Sequence, residues 1–177
     1  DEALENYGHS RVIREKLARC DPGDRRAQYD LAWSHHYTGN VLRAQGKLEE
    51  ASLNYAETYK LRTALVAADE SNATWRKDLA LSLISLGDVA EKQQKAPLAL
   101  ERLHEAQKML EELTRLNPTN ADWRVILSRV HTRTGKLHKD AGNLAAKERF
   151  CGGYRFDAMG HGSDRRWLRE GILACIR

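Results

Sequence analysis

Residues 69–89 read "DESNATWRKDLALSLISLGDV", and the same pattern is written twice more, as "DPGDRRAQYDLAWSHHYTGNV" at 21–41 and "NPTNADWRVILSRVHTRTGKL" at 117–137. The copies start at Asp21, Asp69 and Asn117, one every 48 residues. Each places a second Asp or Asn three residues on, at Asp24, Asn72 and Asn120, and a glycine further along, at Gly39, Gly87 and Gly135. Self-similarity at a fixed period is the signature of an array of supersecondary units, and it decides the fold before any local signal does.

The composition agrees. With 41% hydrophobic and 31% charged residues, the chain suits a folded, water-exposed protein rather than a disordered one. Only three prolines interrupt sequence rich in Ala, Leu, Glu, Lys and Arg, which favours helix. No alternating run of β-branched and aromatic residues argues for a strand. The longest apolar stretch, Leu79–Leu86, is broken by Ser82 and Ser85 and is too short to span a bilayer, so no membrane partner is expected. Cys20, Cys151 and Cys175 follow no metal or redox spacing and read as reduced thiols of a cytoplasmic protein.

Each unit reads as two helices. In the second unit the first helix is expected over 75–93 and the next over 97–116, each roughly 30 Å long. Asp24, Asn72 and Asn120 suit the N-cap of the first helix, and Pro97 suits the first turn of the second. In the second helix Ala51, Tyr55, Thr58, Leu61 and Leu65 recur at helical spacing, matched by Ala99, Leu103, Ala106, Met109 and Leu113. A glycine inside a helix costs roughly 1 kcal/mol against alanine, so its recurrence at one register points to close approach of a neighbouring helix.

The sequence resembles the tetratricopeptide repeat, whose pattern is W-x2-L-G-x2-Y followed by A-x3-F. Here it stands as His35-x2-Thr38-Gly39-x2-Leu42 with Ala51-x3-Tyr55, then Leu83-x2-Leu86-Gly87-x2-Ala90 with Ala99-x3-Leu103. The third copy, His131-x2-Thr134-Gly135-x2-His138, is followed by a degraded second helix with Lys147 at the alanine position. The resemblance is to the long-period variety, about 14 residues beyond the usual length of roughly 34. It implies an all-α fold, an α-solenoid of antiparallel helix pairs coiled as a right-handed superhelix. It also implies a bacterial, cytoplasmic signalling protein in which this module carries protein or peptide partners.

The units divide the chain into 1–20, 21–68, 69–116, 117–162 and 163–177. Residues 1–20 align with 49–68 as the second helix of a preceding unit whose first helix is missing, leaving Ile13 and Leu17 as an open apolar stripe that invites self-association. "CGGYRFDAMGHG" at 151–162 reads as a loop or irregular helix, and 163–177 as the start of a further unit, with Trp167 matching Trp75.

Solenoids bind through the surface their stacked units leave open. If His35, Thr38 and Leu42 face the second helix, Trp33, His36, Asn40 and Arg43 form the neighbouring stripe. One period on stand Leu81, Ile84, Asp88 and Glu91, and then Arg129, Thr132, Lys136 and Lys139. Arg129, Arg133 and Lys136 share a face at i, i+4, i+7. The resemblance makes this stripe the inner, peptide-holding groove, running from mixed through acidic to basic, with an acidic partner at its basic end. Some members clamp a terminal carboxylate; Asn40, Arg129 and Arg133 stand at three of those five positions, and His36 and Ser85 at the others. Trp75 and Trp123 share a register that suits packing between units, whereas Trp33 is off it.

Other chemistries fit less well. No HxxxH or CxxC element marks a zinc site, and "GHGSD" at 160–164 is not the G-x-S-x-G of a nucleophile elbow. No catalytic residue, metal or cofactor is expected. Residues 121–177 hold 12 Lys and Arg against 6 Asp and Glu, whereas 1–120 hold 17 against 19. The basic third is the one feature that suits nucleic acid or another polyanion. It lacks interleaved aromatics, and the excess is modest for a phosphate-tracking surface.

Overall fold

A computed structural model describes residues 2–140 of the chain, with side chains from residue 8 onward. Among the described residues there are six α-helices and no strand: α1 (Glu2–Cys20), α2 (Arg25–Ala44), α3 (Leu48–Ala68), α4 (Ala73–Lys92), α5 (Ala96–Leu116) and α6 (Ala121–Asp140). The all-helical expectation is borne out. The observed α4 and α5 each begin one or two residues earlier than expected. None of these helices is long and apolar enough to cross a membrane. The chain forms two compact parts, Asp1–Thr134 and Gly135–Arg177, and of the second only residues 135–140 are described. The expected loop at 151–162 and the unit at 163–177 lie outside the described residues.

The paired Asp and Asn of each copy have separate tasks. The first makes the turn: Asp21 Oδ1 accepts from Gly23 N at 2.9 Å, and Asp69 Oδ1 from Ser71 N at 3.1 Å. In the third copy Asn117 Oδ1 accepts from the Thr119 hydroxyl at 2.8 Å. The second caps the helix. Asp24 Oδ1 accepts from Arg26 N and Ala27 N, Asn72 Oδ1 from Trp75 N, and Asn120 Oδ1 from Trp123 N, the last two at 3.1 Å. Each bond satisfies an amide that the helix leaves without a partner.

The exits of α2 and α4 also match. Lys47 N donates to Leu42 O at 2.9 Å and Gly46 N to Arg43 O at 3.2 Å. One period on, Lys95 N donates to Ala90 O at 2.8 Å and Gln94 N to Glu91 O at 2.9 Å. This pair of bonds needs a left-handed residue, supplied by Gly46 at φ 78° and by Gln94 at φ 61°. Glycine adopts that conformation without strain; glutamine does not.

Consecutive helices pack from α1 through α5. The face that α3 buries is Ala51, Tyr55, Thr58, Arg62 and Leu65, and that of α5 is Ala99, Leu103, Ala106, Leu110 and Leu113. The expected Leu61 and Met109 are only partly buried, because steps of four, three, four and three residues carry the stripe to 62 and 110. The glycine expectation holds where it can be read. A Cβ on Gly39 would stand 2.7 Å from Tyr55 Cε1, and one on Gly87 3.2 Å from Leu103 Cγ. Tyr55 and Leu103 are themselves fully buried. For Gly135 the corresponding position, residue 151, lies outside the described residues. On α1, Val12, Ile13 and Leu17 are exposed, which is the open apolar stripe expected there.

Gly39→Ala is therefore expected to lower stability by about 1–3 kcal/mol through overpacking, and Gly87→Ala by less. Gln94→Gly is expected to raise it by about 1 kcal/mol through relief of the left-handed strain. Urea denaturation of the whole chain measures all three. A Gly39→Ala variant as stable as wild type would contradict the close approach of Tyr55.

Candidate protein-interaction face

The stripe expected to bind lies beside a buried cation. Arg62, on α3, is 1% exposed, and its Nη1 donates to Asp78 O at 2.7 Å and to Ser82 Oγ at 3.0 Å, both on α4. Its guanidinium carbon lies over the Trp33 ring of α2, 4.6 Å from the centroid. Asp78 is also fully buried: its Oδ2 accepts from the Tyr29 hydroxyl of α2 at 3.0 Å, and Lys77 Nζ stands 3.0 Å from Oδ1 as an ion pair without hydrogen-bond alignment. Burial pulls the Arg62 pKa down and the Asp78 charge opposes the fall. One side chain thus joins three helices. Nothing in the sequence reading anticipated it, because a charged residue was passed over in favour of Leu61.

A signal for it exists in the period. Arg14 Nη1 donates to Ser34 Oγ at 2.5 Å, and Ser34 Oγ donates to Asp30 O, as Ser82 Oγ does to Asp78 O. Arg14, Asp30 and Ser34 lie one period before Arg62, Asp78 and Ser82. One period after stand Leu110, Ile126 and Val130, all three apolar. The positions change character together, as they must where an arginine left alone in a core costs several kcal/mol.

On α2 the rings of Tyr29, Trp33 and Tyr37 follow at intervals of four residues. Tyr29 meets Trp33 edge-on with centroids 6.2 Å apart, and Tyr37 stacks on it at 5.4 Å and 26°. Tyr37 remains 43% exposed, an aromatic on this face that the sequence reading left out. His36 sits edge-on to Trp33 at 5.3 Å and tilted to Tyr55 at 5.8 Å. Burial first, and then the Arg62 charge, pull its pKa from 6.5 to about 4; Asp78 opposes and Arg43 adds to the fall. His36 is therefore neutral at pH 7 and supplies no charge to a carboxylate clamp. Asn40 turns inward, its Oδ1 accepting from the Tyr55 hydroxyl at 2.7 Å.

Further along, four candidates come together as a chain of ion pairs. Arg43 Nη1 of α2 is 3.5 Å from Asp88 Oδ2 of α4. Arg133 of α6 contacts Asp88 Oδ1 through Nη1 and donates to Glu91 Oε2 from Nε at 2.9 Å and from Nη2 at 2.6 Å. Polar contacts also hold two histidines of the repeat register. His35 Nδ1 is 3.2 Å from Asn54 Oδ1 of α3, and His131 Nε2 is 3.8 Å from Glu111 of α5. Both histidines make their contact with a neighbouring helix.

Leu81 and Ile84 on α4 are half-buried, and Arg129 and Thr132 on α6 are exposed. Lys136 and Lys139 belong to the second compact part and are exposed there. The expected stripe is thus partly assembled, but the gradient from acidic to basic is levelled where Asp88 and Glu91 hold Arg133. Comparison with protein-family models, with curated proteins and with solved structures finds no match.

Replacing Arg62 with leucine removes the buried cation facing Asp78, leaving that carboxylate to Tyr29 and Lys77 and the Asp78 carbonyl and Ser82 hydroxyl without their donor, and is expected to cost about 3 kcal/mol. Combining Arg62→Leu with Asp78→Ile and Ser82→Val copies the apolar residues that stand one period later, Leu110, Ile126 and Val130, and is expected to recover most of that loss. Thermal and urea unfolding distinguish the two. A triple variant no more stable than the single one would contradict the exchange of the three residues as a set.

Proposed function

We propose that the chain is a protein–protein interaction module, an α-solenoid of antiparallel helix pairs of the long-period tetratricopeptide type within a larger signalling protein. It takes a peptide or partner domain on the face carried by α2, α4 and α6. The observation that carries this reading is the joining of the first helices of successive units by their own side chains. Tyr29–Asp78 and Arg43–Asp88 tie α2 to α4, and Arg133 ties α4 to α6. Units stacked on a fixed period leave a continuous binding surface of this kind.

Between the two ties of α2 to α4, Trp33 and Tyr37 stand along one helix and Leu81 and Ile84 along the other, and we read these four as an apolar shelf bordered by charge. Aromatic residues held rigidly in a partly buried patch dominate binding energy at such surfaces. A partner is expected to seat an apolar side chain there.

The test is a screen of acidic, neutral and basic peptide pools and of short DNA by fluorescence anisotropy, at low and moderate salt. Tyr37→Ala and Ile84→Ala are each expected to weaken the selected peptide by roughly tenfold with helicity unchanged. Peptide binding untouched by both substitutions would place the contact elsewhere. DNA outcompeting every peptide would replace this reading with nucleic-acid binding through the basic third.

A further inference from the structure

Two arginines of the face, Arg43 and Arg133, are already engaged. Arg133, half-buried on α6, has its Nε and Nη2 both turned to one oxygen of Glu91 and its Nη1 against Asp88. That edge of a guanidinium is the one a carboxylate of a bound peptide would take. Asp88 also reaches Arg43, so two carboxylates of α4 occupy the cations of the helices on either side.

The surroundings say which ligand they stand in for. The part of α6 within the first compact unit, residues 121–134, carries Arg124, Arg129 and Arg133 against the single carboxylate Asp122. Arg129 is exposed. Arg62 is matched by Asp78. Once Asp88 and Glu91 have neutralised Arg43 and Arg133, the exposed Arg129, one turn before Arg133 on α6, remains as positive charge, which suits an anionic segment and not a cationic one.

We propose that Asp88 and Glu91 are resident competitors, holding the positions that the carboxylates of an acidic partner take, so that the face closes to weakly acidic segments. This rests on the interaction-face reading above. An intramolecular ligand competes at high effective concentration, so one partner carboxylate does not displace it, whereas several acting together do. Selectivity then lies in the number of acidic residues the partner presents, with its apolar residue on the Trp33–Tyr37 shelf.

The probe is a short fluorescent peptide of Glu and Asp around one Phe, compared with its Gln and Asn counterpart. Asp88→Asn combined with Glu91→Gln is expected to tighten the acidic peptide by roughly tenfold or more and to leave the neutral one unchanged. Arg133→Gln added to that pair is expected to remove the gain. Phenylglyoxal modification, mapped by mass spectrometry, is expected to reach Arg129 before Arg133 in the wild type, with Arg133 catching up in the double variant. An unchanged or weakened acidic peptide would overturn the competitor role, and Tyr37→Ala would still report on the face through the neutral peptide. If neither peptide responds to Tyr37→Ala, the interaction face itself is wrong, and the competitor role falls with it.

Discussion

The described part of this molecule depends on an arginine in its core. Arg62 is charged, almost wholly out of water, and surrounded by groups that only a particular arrangement of three helices brings together. An ion removed from water costs several kcal/mol even after relaxation. Here a main-chain carbonyl, a serine hydroxyl and the face of an indole offset that cost. The acceptors belong to α4 and the indole to α2, so any other placement of these helices leaves the charge uncompensated. A purely apolar contact would tolerate sliding; this one does not.

The candidate face inherits its shape from that constraint. Trp33 is held beneath Tyr37 because Arg62 lies over it, and α4 is held beside α2 because Asp78 meets both Arg62 and Tyr29. Trp33 and Tyr37, on which the proposed shelf rests, thus lie directly over a buried polar junction. At its other end the pairing of Arg43 and Arg133 with Asp88 and Glu91 carries the same helices across to α6 with partly exposed charge. In the proposed reading, rigidity on the inner side lowers the ordering cost of binding, and the partly exposed ion pairs on the outer side are contacts for a partner to replace.

Much of the fold was legible because its signals are local and recur. The caps Asp24, Asn72 and Asn120 and the contacts of Gly39 and Gly87 follow from positions 48 residues apart, and Pro97 marks the entry of its helix by itself. The site was legible only in part. Reading hydrophobicity alone selected Leu61 and Met109 where the heptad-like spacing places Arg62 and Leu110, and it hid the core cation. Net charge along the stripe suggested a basic end, but it could not show that Glu91 and Asp88 reach one helix over to neutralise Arg133. Tyr37 was overlooked because its position one turn from Trp33 matters only once the two rings are stacked. Comparing the three copies by chemistry at 14, 62 and 110, and at 30, 78 and 126, would have exposed the polar junction without coordinates.

His36 gives the most direct test of the central claim, since its ring lies among Trp33, Tyr37 and Tyr55 beside the Arg62 charge. The measurement is its titration by NMR in the whole chain. The expected midpoint is about 4, because burial and then Arg62 disfavour the imidazolium. A histidine held below its unfolded value binds fewer protons when folded, so its contribution to stability is present above 6.5 and is lost as pH falls from 6.5 toward 4. In the triple variant that removes Arg62 and Asp78 the midpoint is expected to rise, since the lowering by Arg62 exceeds the raising by Asp78. A wild-type midpoint near 6.5, unmoved in that variant, would contradict a buried charged arginine at the junction of α2, α3 and α4.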